Sequence, residues 1–240
     1  MRISAVVVIF MTLCLAGVSR AAEVDCVSCH KDLTEGKTVH PAVMMGCAVC
    51  HTGVDATKVP HKFTGKLGLA AEPPDLCFNC HKREDFIAAD VHPPVSMGMC
   101  TSCHNPHRSD QPKLLIAPIP DLCFNCHEKQ EFTKKDVHAP VKAGQCLKCH
   151  MPHVSPNSKL LQKKGVFLCR QCHANIERQV HVVAGFSSAG HPLKGKQDPL
   201  RKGKPFECLS CHVPHSSDWG RLFRYKANDA FGLCNYCHKF

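Results

Sequence analysis

The fold is decided by one pattern that occurs twice: DLCFNCHKREDFIAADVHPPVSMGMCTSCHNPHRSDQPKLL, residues 75–115, and DLCFNCHEKQEFTKKDVHAPVKAGQCLKCHMPHVSPNSKLL, residues 121–161. The copies begin 46 residues apart, and each holds two Cys-x-x-Cys-His motifs, a Val-His between them and a Pro-His just after the second. Self-similarity at a fixed period is typical of repeat architectures. The sequence therefore predicts a row of similar units.

The same pattern extends in both directions with distortions. It divides the chain into units at residues 22–74, 75–120, 121–166 and 167–233, each with two motifs, and a half unit at 234–240. The first unit delays its Pro-His to Pro60-His61. The fourth unit carries an insertion, residues 174–207, that contains two histidines.

Cys-x-x-Cys-His occurs nine times and uses eighteen of the nineteen cysteines. The motif indicates covalent attachment of c-type haem. Zinc ribbons, disulfide scaffolds and redox dithiols also use Cys-x-x-Cys, but none of them needs a histidine directly after every copy. The predicted attachment residues are Cys26, Cys29, Cys47, Cys50, Cys77, Cys80, Cys100, Cys103, Cys123, Cys126, Cys146, Cys149, Cys169, Cys172, Cys208, Cys211, Cys234 and Cys237. The predicted iron ligands from the motifs are His30, His51, His81, His104, His127, His150, His173, His212 and His238.

Nine further histidines lie outside the motifs, one for each motif. They predict a second axial ligand for each haem: His40, His61, His92, His107, His138, His153, His181, His191 and His215. Eight recur at equivalent positions of the units, and His181 alone stands outside the pattern. Because no histidine follows the motif at Cys234, the sequence favours His181 as the second ligand there. Methionine is the alternative ligand, but the histidine count already fills every site, and bis-histidine ligation indicates low reduction potentials.

The composition does not provide an ordinary hydrophobic core. The 240 residues include one Trp, two Tyr and seventeen Pro. Nine haems would leave about 24 residues for each, too few to offset chain entropy by apolar side chains alone. The porphyrins would supply the buried apolar mass, so we expect the chain without haem to be largely unfolded. The predicted fold class is mainly coil with short α-helices and little or no β-sheet.

Local structure follows from the spacing of the motif residues and from the prolines. Cys, Cys and His at i, i+3 and i+4 share one face of a helical turn, for which Asp75 and Asp121 are the predicted N-caps. Polar residues 128–135 are predicted to continue one such helix. Proline adjoins nearly all of the other histidines, which predicts that they lie on stiff, extended segments.

The first 21 residues predict a secretory signal, with Arg2 before an apolar stretch and Ser19-Arg20-Ala21 at the cleavage site. An uncleaved anchor is the alternative, but the apolar run is short for a bilayer. A lipoprotein signal at Cys14 would need a small residue where Leu13 stands. We therefore expect an exported chain without a transmembrane span after cleavage.

The formal charge of +10 does not predict a nucleic-acid partner. Without Arg2 and Arg20 the charge is +8, and nine ferric haems with ionised propionates would bring it to about −1. We interpret the basic side chains as partners of the propionates.

The segments LCFNCH…DVHPPV…CTSCHNPH and LCFNCH…DVHAPV…CLKCHMPH resemble the doubled-motif repeat of multihaem c-type cytochromes, known from metal- and sulfur-respiring bacteria. The resemblance covers essentially the whole chain after the leader and is clearest over residues 75–173. It implies closely stacked haems and electron transport across or outside the cell envelope, in the periplasm or at the cell surface. It also implies other redox proteins as partners: a quinol-oxidising complex of the inner membrane upstream, and periplasmic or outer-membrane cytochromes downstream.

Electron transfer is the predicted function, because six-coordinate iron has no open position for a substrate. One alternative is a reductase of nitrite, hydroxylamine or a sulfur oxyanion with one open haem. Some relatives of that kind have a motif that ends in Lys, and no motif here does. Another alternative is a subunit of an extracellular haem filament or of a porin conduit, so the oligomeric state stays open.

Overall fold

The computed structural model describes residues 24–176, 181, 191–227 and 231–239. Within them, six α-helices of one turn each span Asp75–Phe78 (α1), Pro93–Ser96 (α2), Asp121–Phe124 (α3), Ala139–Lys142 (α4), Val166–Cys169 (α5) and Cys208–Cys211 (α6). The strands are Thr38–Val39 (β1), Val54–Asp55 (β2), Lys62–Phe63 (β3), Asp90–Val91 (β4), Arg108–Ser109 (β5), Asp136–Val137 (β6), Val154–Ser155 (β7) and Ser216–Ser217 (β8). The predicted fold class, mainly coil with short helices and little sheet, is confirmed.

Short 3-10 helices are the most frequent elements of the described chain. They span Cys26–Ser28, Lys31–Thr34, Pro41–Met45, Cys47–Val49, Lys66–Gly68, Arg83–Phe86, Cys100–Ser102, Pro112–Leu114, Lys129–Phe132, Cys146–Lys148, Ser158–Leu160, Gly220–Leu222 and Cys234–Tyr236.

Antiparallel ladders of two residues join each unit to the next. β1 pairs with β5, β4 with β7 and β6 with β8, so that Asp90 lies opposite Ser155 and Asp136 opposite Ser217. The remaining ladder, β2 with β3, is local to the first unit. Neighbouring units are therefore connected by backbone hydrogen bonds between residues far apart in the sequence.

No hydrophobic side chain among the described residues is buried. The buried side chains are polar, and large apolar ones such as Met44, Met97 and Phe167 are 79 %, 64 % and 62 % exposed. Burial of apolar surface is the main favourable term in folding. The described residues by themselves thus lack the interior that a domain of this length needs, as the composition predicts.

Buried serines close the loop that follows three of the motifs. Ser155 is fully buried; its Oγ donates to the carbonyl oxygen of Leu161 at 2.6 Å and accepts from the N–H of Asn157 at 2.9 Å. The same bonds recur at the last residue of β5 and of β8, with Ser109 and Ser217. One hydroxyl therefore fixes the end of each inter-unit ladder.

Two local predictions are wrong. Asp75 and Asp121 are the first residues of α1 and α3 rather than their N-caps, because prolines occupy the cap positions. The Asp75 carboxylate instead accepts a hydrogen bond from Arg83 at 2.7 Å. Residues 128–135 do not continue α3, because the extended backbone of Glu128 separates it from a four-residue 3-10 helix.

None of the helices in the described ranges is long and apolar enough to cross a membrane. The predicted leader and Cys14 lie outside the described residues.

Candidate haem-binding sites

Each of the nine motifs closes a single helical turn. In every copy the backbone N–H of the histidine donates to the carbonyl oxygen of the first cysteine, at 2.9 to 3.1 Å. None of the eighteen motif cysteines, all of which lie in the described ranges, forms a disulfide. The predicted placement of two thiols and one imidazole on one turn is confirmed.

Each motif histidine faces one histidine from outside the motifs. The ring centroids are 5.7 to 6.3 Å apart in all nine pairs. The pairs are His30–His61, His81–His40, His51–His107, His127–His92, His104–His153, His173–His138, His150–His215, His212–His181 and His238–His191. The structure therefore brings all eighteen candidate ligands together in pairs.

The separation of the paired rings fits one metal ion between them. A metal about 2 Å from one nitrogen of each imidazole places the ring centroids about 6 Å apart. In the pair His30–His61 the two Nε2 atoms face each other at 3.5 Å. Zinc needs four ligands, and no group of three or more metal-binding side chains is found in the part of the chain that is described. Two imidazoles that could ligate iron, beside two thiols that could form thioether bonds to a porphyrin, are what a bis-histidine haem c needs.

Backbone carbonyls orient the histidines of four motifs. A carbonyl oxygen only accepts, so the Nδ1 that faces it carries the proton and Nε2 keeps the lone pair that binds a metal. The Nδ1 to oxygen distances are 2.8 to 3.0 Å, for His51 with Leu67, His104 with Lys113, His150 with Lys159, and His212 with Arg221.

The four residues that supply these carbonyls have left-handed backbone conformations. Leu67, Lys113, Lys159 and Arg221 have φ angles of 54° to 59°, which is uncommon for residues with a side chain. Their role was not predicted from the sequence. The repeated Lys-Leu-Leu at residues 113–115 and 159–161 was the signal that could have revealed it.

The inter-unit ladders hold six of the non-motif histidines. His40, His92 and His138 directly follow β1, β4 and β6, and their N–H groups donate at 2.8 to 3.0 Å to the carbonyls of the histidines that precede β5, β7 and β8. His92 has an extended backbone, with φ −62° and ψ 129°, as its proline neighbour predicts. Its Nδ1 also lies 3.0 Å from the carbonyl oxygen of Pro152. Each ladder therefore positions two candidate ligands.

The histidines on one ladder serve motifs of different units. His92, from between the motifs of its unit, faces His127 in the first motif of the next unit. His153, from after the second motif of its unit, faces His104 in the second motif of the preceding unit. On the other two ladders, too, the histidine from between two motifs faces the first motif of the next unit. The histidine that follows a second motif faces the second motif of the preceding unit. This exchange between units was not predicted from the sequence.

The predicted position of His181 at the terminal motif is wrong. His181 faces His212, with ring centroids 6.2 Å apart, and His191 faces His238 at 6.1 Å. His191 follows the rule of the repeat, because it lies between motifs and faces the first motif of the next unit. His212 is faced by His181 of the insertion, whereas His51, His104 and His150 are each faced by a histidine that follows the second motif of the next unit.

Burial favours the neutral form of several of these imidazoles. It lowers the pKa of His107, His153 and His215, and the charges of neighbouring histidines lower it further. Burial also lowers the pKa of His181 and His212. Neutral imidazole is the form that binds a metal, so these sites are ready for ligation at neutral pH.

Within a unit, the first cysteines of the two motifs lie side by side. Burial, together with the neighbouring Cys100, raises the pKa of Cys77 to about 11, and Cys146 acts in the same way on Cys123. The backbone allows this close approach because residue 98 is a glycine. Gly98 has a φ of +70°, and a Cβ there would lie 2.5 Å from Cδ of Pro74. The equivalent contacts at the two ends are Cys26 with Cys47 and Cys169 with Cys208.

Between units, cysteines of successive motifs are also neighbours. Burial raises the pKa of Cys103, Cys149 and Cys211, and in each case the next contribution comes from a cysteine of the following motif: Cys126, Cys172 and Cys237. Cys50 acts on Cys77 across the first boundary. Attachment sites that are consecutive in the sequence are therefore neighbours in space along the whole chain.

The chain matches the model of the doubled CXXCH motif family at residues 40–86, 92–132, 138–178 and 198–240. These segments hold eight of the nine motifs, and the motif at Cys26 precedes them. The first three segments begin at His40, His92 and His138, and each includes the motif histidine that its first residue faces. No similar protein is found among the curated proteins. Because the matched segments cover more than half of the sequence, the chain belongs to the doubled CXXCH motif family: it is a multihaem cytochrome c, with covalently bound haem and a role in electron transfer.

Proposed function

We propose that this cytochrome binds nine haems, each between two histidines, and carries electrons along them in the cell envelope as part of a respiratory chain. The observation that carries the proposal is the set of nine histidine pairs, each with one motif histidine and one other histidine at a separation that fits a metal ion. The cysteines and histidines named for the nine motifs would attach and ligate the haems.

The order of the attachment sites supports a linear path. Cysteines of each motif neighbour those of the next, from Cys26 to Cys237. Haem c, when bound, supplies reversible one-electron oxidation and reduction. The chain's own work would be to set the spacing and to hold one imidazole on each side of every haem iron. In this order the attachment sites run from the Cys26 motif to the Cys234 motif.

We propose export to the periplasm or the cell surface, with redox proteins as partners on both sides. The predicted leader and the dense array of covalent haem motifs support this location. A quinol-oxidising complex of the inner membrane would be the donor, and periplasmic or outer-membrane cytochromes would be the acceptors.

The intact mass of the mature protein tests the haem number and the cleavage site together. We expect the mass of nine haems on a chain that begins near residue 22. A mass with fewer haems would contradict the proposal, because at least one histidine pair would then have no haem to ligate.

Carbon monoxide tests the functional class. If both axial positions are filled by histidine in all nine haems, the reduced protein should bind no carbon monoxide. Stoichiometric binding at one haem would instead support a reductase with one open haem. Size measurement of the purified protein in solution tests the remaining alternative, a subunit of a haem filament.

A further inference from the structure

The insertion of the fourth unit contains a strongly basic hairpin. Residues 194–204, KGKQDPLRKGK, include five basic residues and one acidic residue. Gly195 and Phe206 pair through two backbone hydrogen bonds of 3.0 Å, and the N–H of Asp198 donates to the carbonyl of Lys204 at 2.8 Å. We call residues 194–206 the basic hairpin. The regular unit at residues 75–120 has no equivalent segment.

The single acidic residue of the basic hairpin is used inside it. Asp198 is 2 % exposed, and its carboxylate accepts from the N–H groups of Leu200 and Arg201 and from Nε of Arg201. Burial raises the pKa of Asp198, but the hydrogen bonds from Ser210, Arg201 and Leu200 outweigh it and hold the pKa at about 2. The carboxylate therefore pairs with Arg201 and anchors the loop, and the basic hairpin as a whole keeps a net charge of +4.

The exposed face of the basic hairpin combines positive charge with one apolar side chain. Lys196, Lys202 and Lys204 are exposed, and none of them forms an ion pair with another residue that the structure describes. Leu200, at the turn between them, is 41 % exposed. Apolar contact inside a polar, charged rim is typical of transient protein interfaces. One leucine is little apolar surface for insertion into a lipid bilayer, which usually involves an amphipathic helix.

The basic hairpin lies beside the last two attachment sites of the row. The ring centroids of Phe206 and His191 are 5.7 Å apart. The same phenylalanine lines a cavity together with His181, Cys208 and His212. Asp198 is close enough to Cys211 and Cys237 for its charge to contribute to their raised pKa values, after the larger effect of burial. A partner on the hairpin would therefore be close to one end of the haem row.

The charge of the whole chain is polarised in the same direction. Residues 22–120 hold nine basic and eleven acidic side chains, whereas residues 121–240 hold nineteen basic and nine acidic ones. Four motifs lie in the first part and five in the second, so haem propionates would be shared almost evenly and would not remove the difference. Such a field steers an oppositely charged partner toward one end of the molecule.

We propose that the basic hairpin is the docking site of an acidic redox protein that exchanges electrons with the haems of the Cys208 and Cys234 motifs. This inference rests on the proposed function. In one direction of exchange, one electron leaves the reduced cofactor of the partner, which is oxidised by one electron, and one ferric haem of the cytochrome becomes ferrous. The lysines take no part in the chemistry; they raise the rate at which a productive encounter forms.

Stopped-flow reduction of the full holoprotein by a reduced, strongly acidic flavodoxin tests the proposal. The variant is K196E/K202E/K204E, and the matched control is K37E/K62E/K82E, which makes the same charge change at three exposed lysines of the first two units. At low ionic strength we expect the hairpin variant to lose about tenfold or more in second-order rate. We expect the control to lose much less, and added salt to narrow the difference.

A small zwitterionic viologen serves as the second donor, because it does not depend on a charged docking site. We expect it to reduce both variants at the wild-type rate. A slower reaction of the hairpin variant with both donors would overturn the proposal, because the lysines would then act on the haems, for example by pairing with propionates. Equal losses in the two variants with flavodoxin would overturn it as well, since total charge would then be the cause.

An unchanged flavodoxin rate in K196E/K202E/K204E would also contradict the docking site. If the same variant lost binding to vesicles of anionic phospholipid, the hairpin would bind a membrane surface instead. Mass measurement of each variant confirms that its haems are attached, and K196Q/K202Q/K204Q provides a milder variant if the triple glutamate fails to assemble. If the viologen fails to reduce wild-type protein, the proposed function is wrong; if only the hairpin comparison fails, the docking site alone is wrong.

Discussion

The middle of the chain and its two ends hold their candidate ligands in different ways. In the middle, His92 and His153 lie on one ladder, β4 with β7, and face motifs of two different units. At the amino-terminal end, His61 adjoins the local β2–β3 ladder and faces His30 of its own unit. At the other end, the insertion supplies the histidine that faces His212. The motifs at Cys26 and Cys208 do not take part in this exchange, and irregular segments provide the histidines that face them.

The exchange explains why the distorted parts of the sequence are at the ends. His61 follows its motif by ten residues, whereas the regular Pro-His comes three residues after the motif. The longer loop lets the histidine turn back to the first motif of its own unit, where it faces His30. In the same way, the insertion provides His181, which faces His212 in the second motif of the fourth unit.

The largest expected effect is loss of the whole fold when haem is not attached. Without haem the middle and the two ends of the chain should unfold together, because no hydrophobic side chain of the described residues is buried. Expressed without haem attachment, the chain should show the circular dichroism of a coil and no cooperative thermal transition. A cooperative transition in the haem-free chain would show that the ladders and turns are stable by themselves.

The second prediction concerns the exchange of histidines between units in the middle of the chain. His92→Ala should leave one haem of the holoprotein five-coordinate, and that haem should be the one at Cys123 rather than a haem of its own unit. The measurement is high-spin absorbance and carbon monoxide binding to the reduced protein, with one equivalent expected.

Loss of attachment sites identifies the haem that is affected. In the background C123A/C126A, His92→Ala should produce no further high-spin haem, because its haem is already absent. In the matched background C77A/C80A, His92→Ala should still produce one high-spin haem. The reverse result would mean that His92 ligates within its own unit.

The third prediction applies the same logic to the carboxyl-terminal end. His181→Ala should leave one haem five-coordinate in the background C234A/C237A and none in the background C208A/C211A. His191→Ala should give the opposite pattern, because His191 faces His238. Identical behaviour of the two variants would contradict the assignment of the two histidines to different motifs.

The sequence predicts the parts of these sites that depend on local spacing. The motif turns, the eighteen histidines and the extended backbone at His92 follow from i, i+3, i+4 geometry and from proline. The pairing does not, because it depends on two-residue ladders such as Asp90–Val91 with Val154–Ser155, which are too short to have a periodic signal. The position of His181 was misjudged for the same reason, because the exchange between units is not visible in the sequence.

The fourth prediction concerns the orientation of the paired rings. In the middle pair His92–His127 the imidazole planes are 11° apart, whereas in the terminal pair His191–His238 they are 85° apart. Parallel planes split the two iron d orbitals that interact with them, and perpendicular planes leave them nearly equal in energy. The ferric protein should therefore show a low-spin electron paramagnetic resonance signal with a larger maximum g value from the terminal haem. C234A/C237A should remove that signal, whereas C123A/C126A should not.

The smallest expected effect is local to one ladder. Ser155→Ala removes a buried hydroxyl that donates to the Leu161 carbonyl and accepts from the Asn157 N–H. The carbonyl keeps a hydrogen bond from Nδ2 of Asn157 at 3.0 Å, but the N–H loses its acceptor, and loss of such a partner costs about 1–3 kcal/mol. Hydrogen exchange should become faster at β4 and β7 and should stay unchanged at β2 and β3, where exposed Phe63 ends the ladder instead of a buried serine. Ser96→Ala is the matched control, because Ser96 is exposed and its hydroxyl bonds only to the carbonyl of Pro93. Faster exchange throughout the chain after Ser155→Ala would mean that the ladders of the middle open as one unit with the ends, and the contrast between the two regions would not extend to their stability.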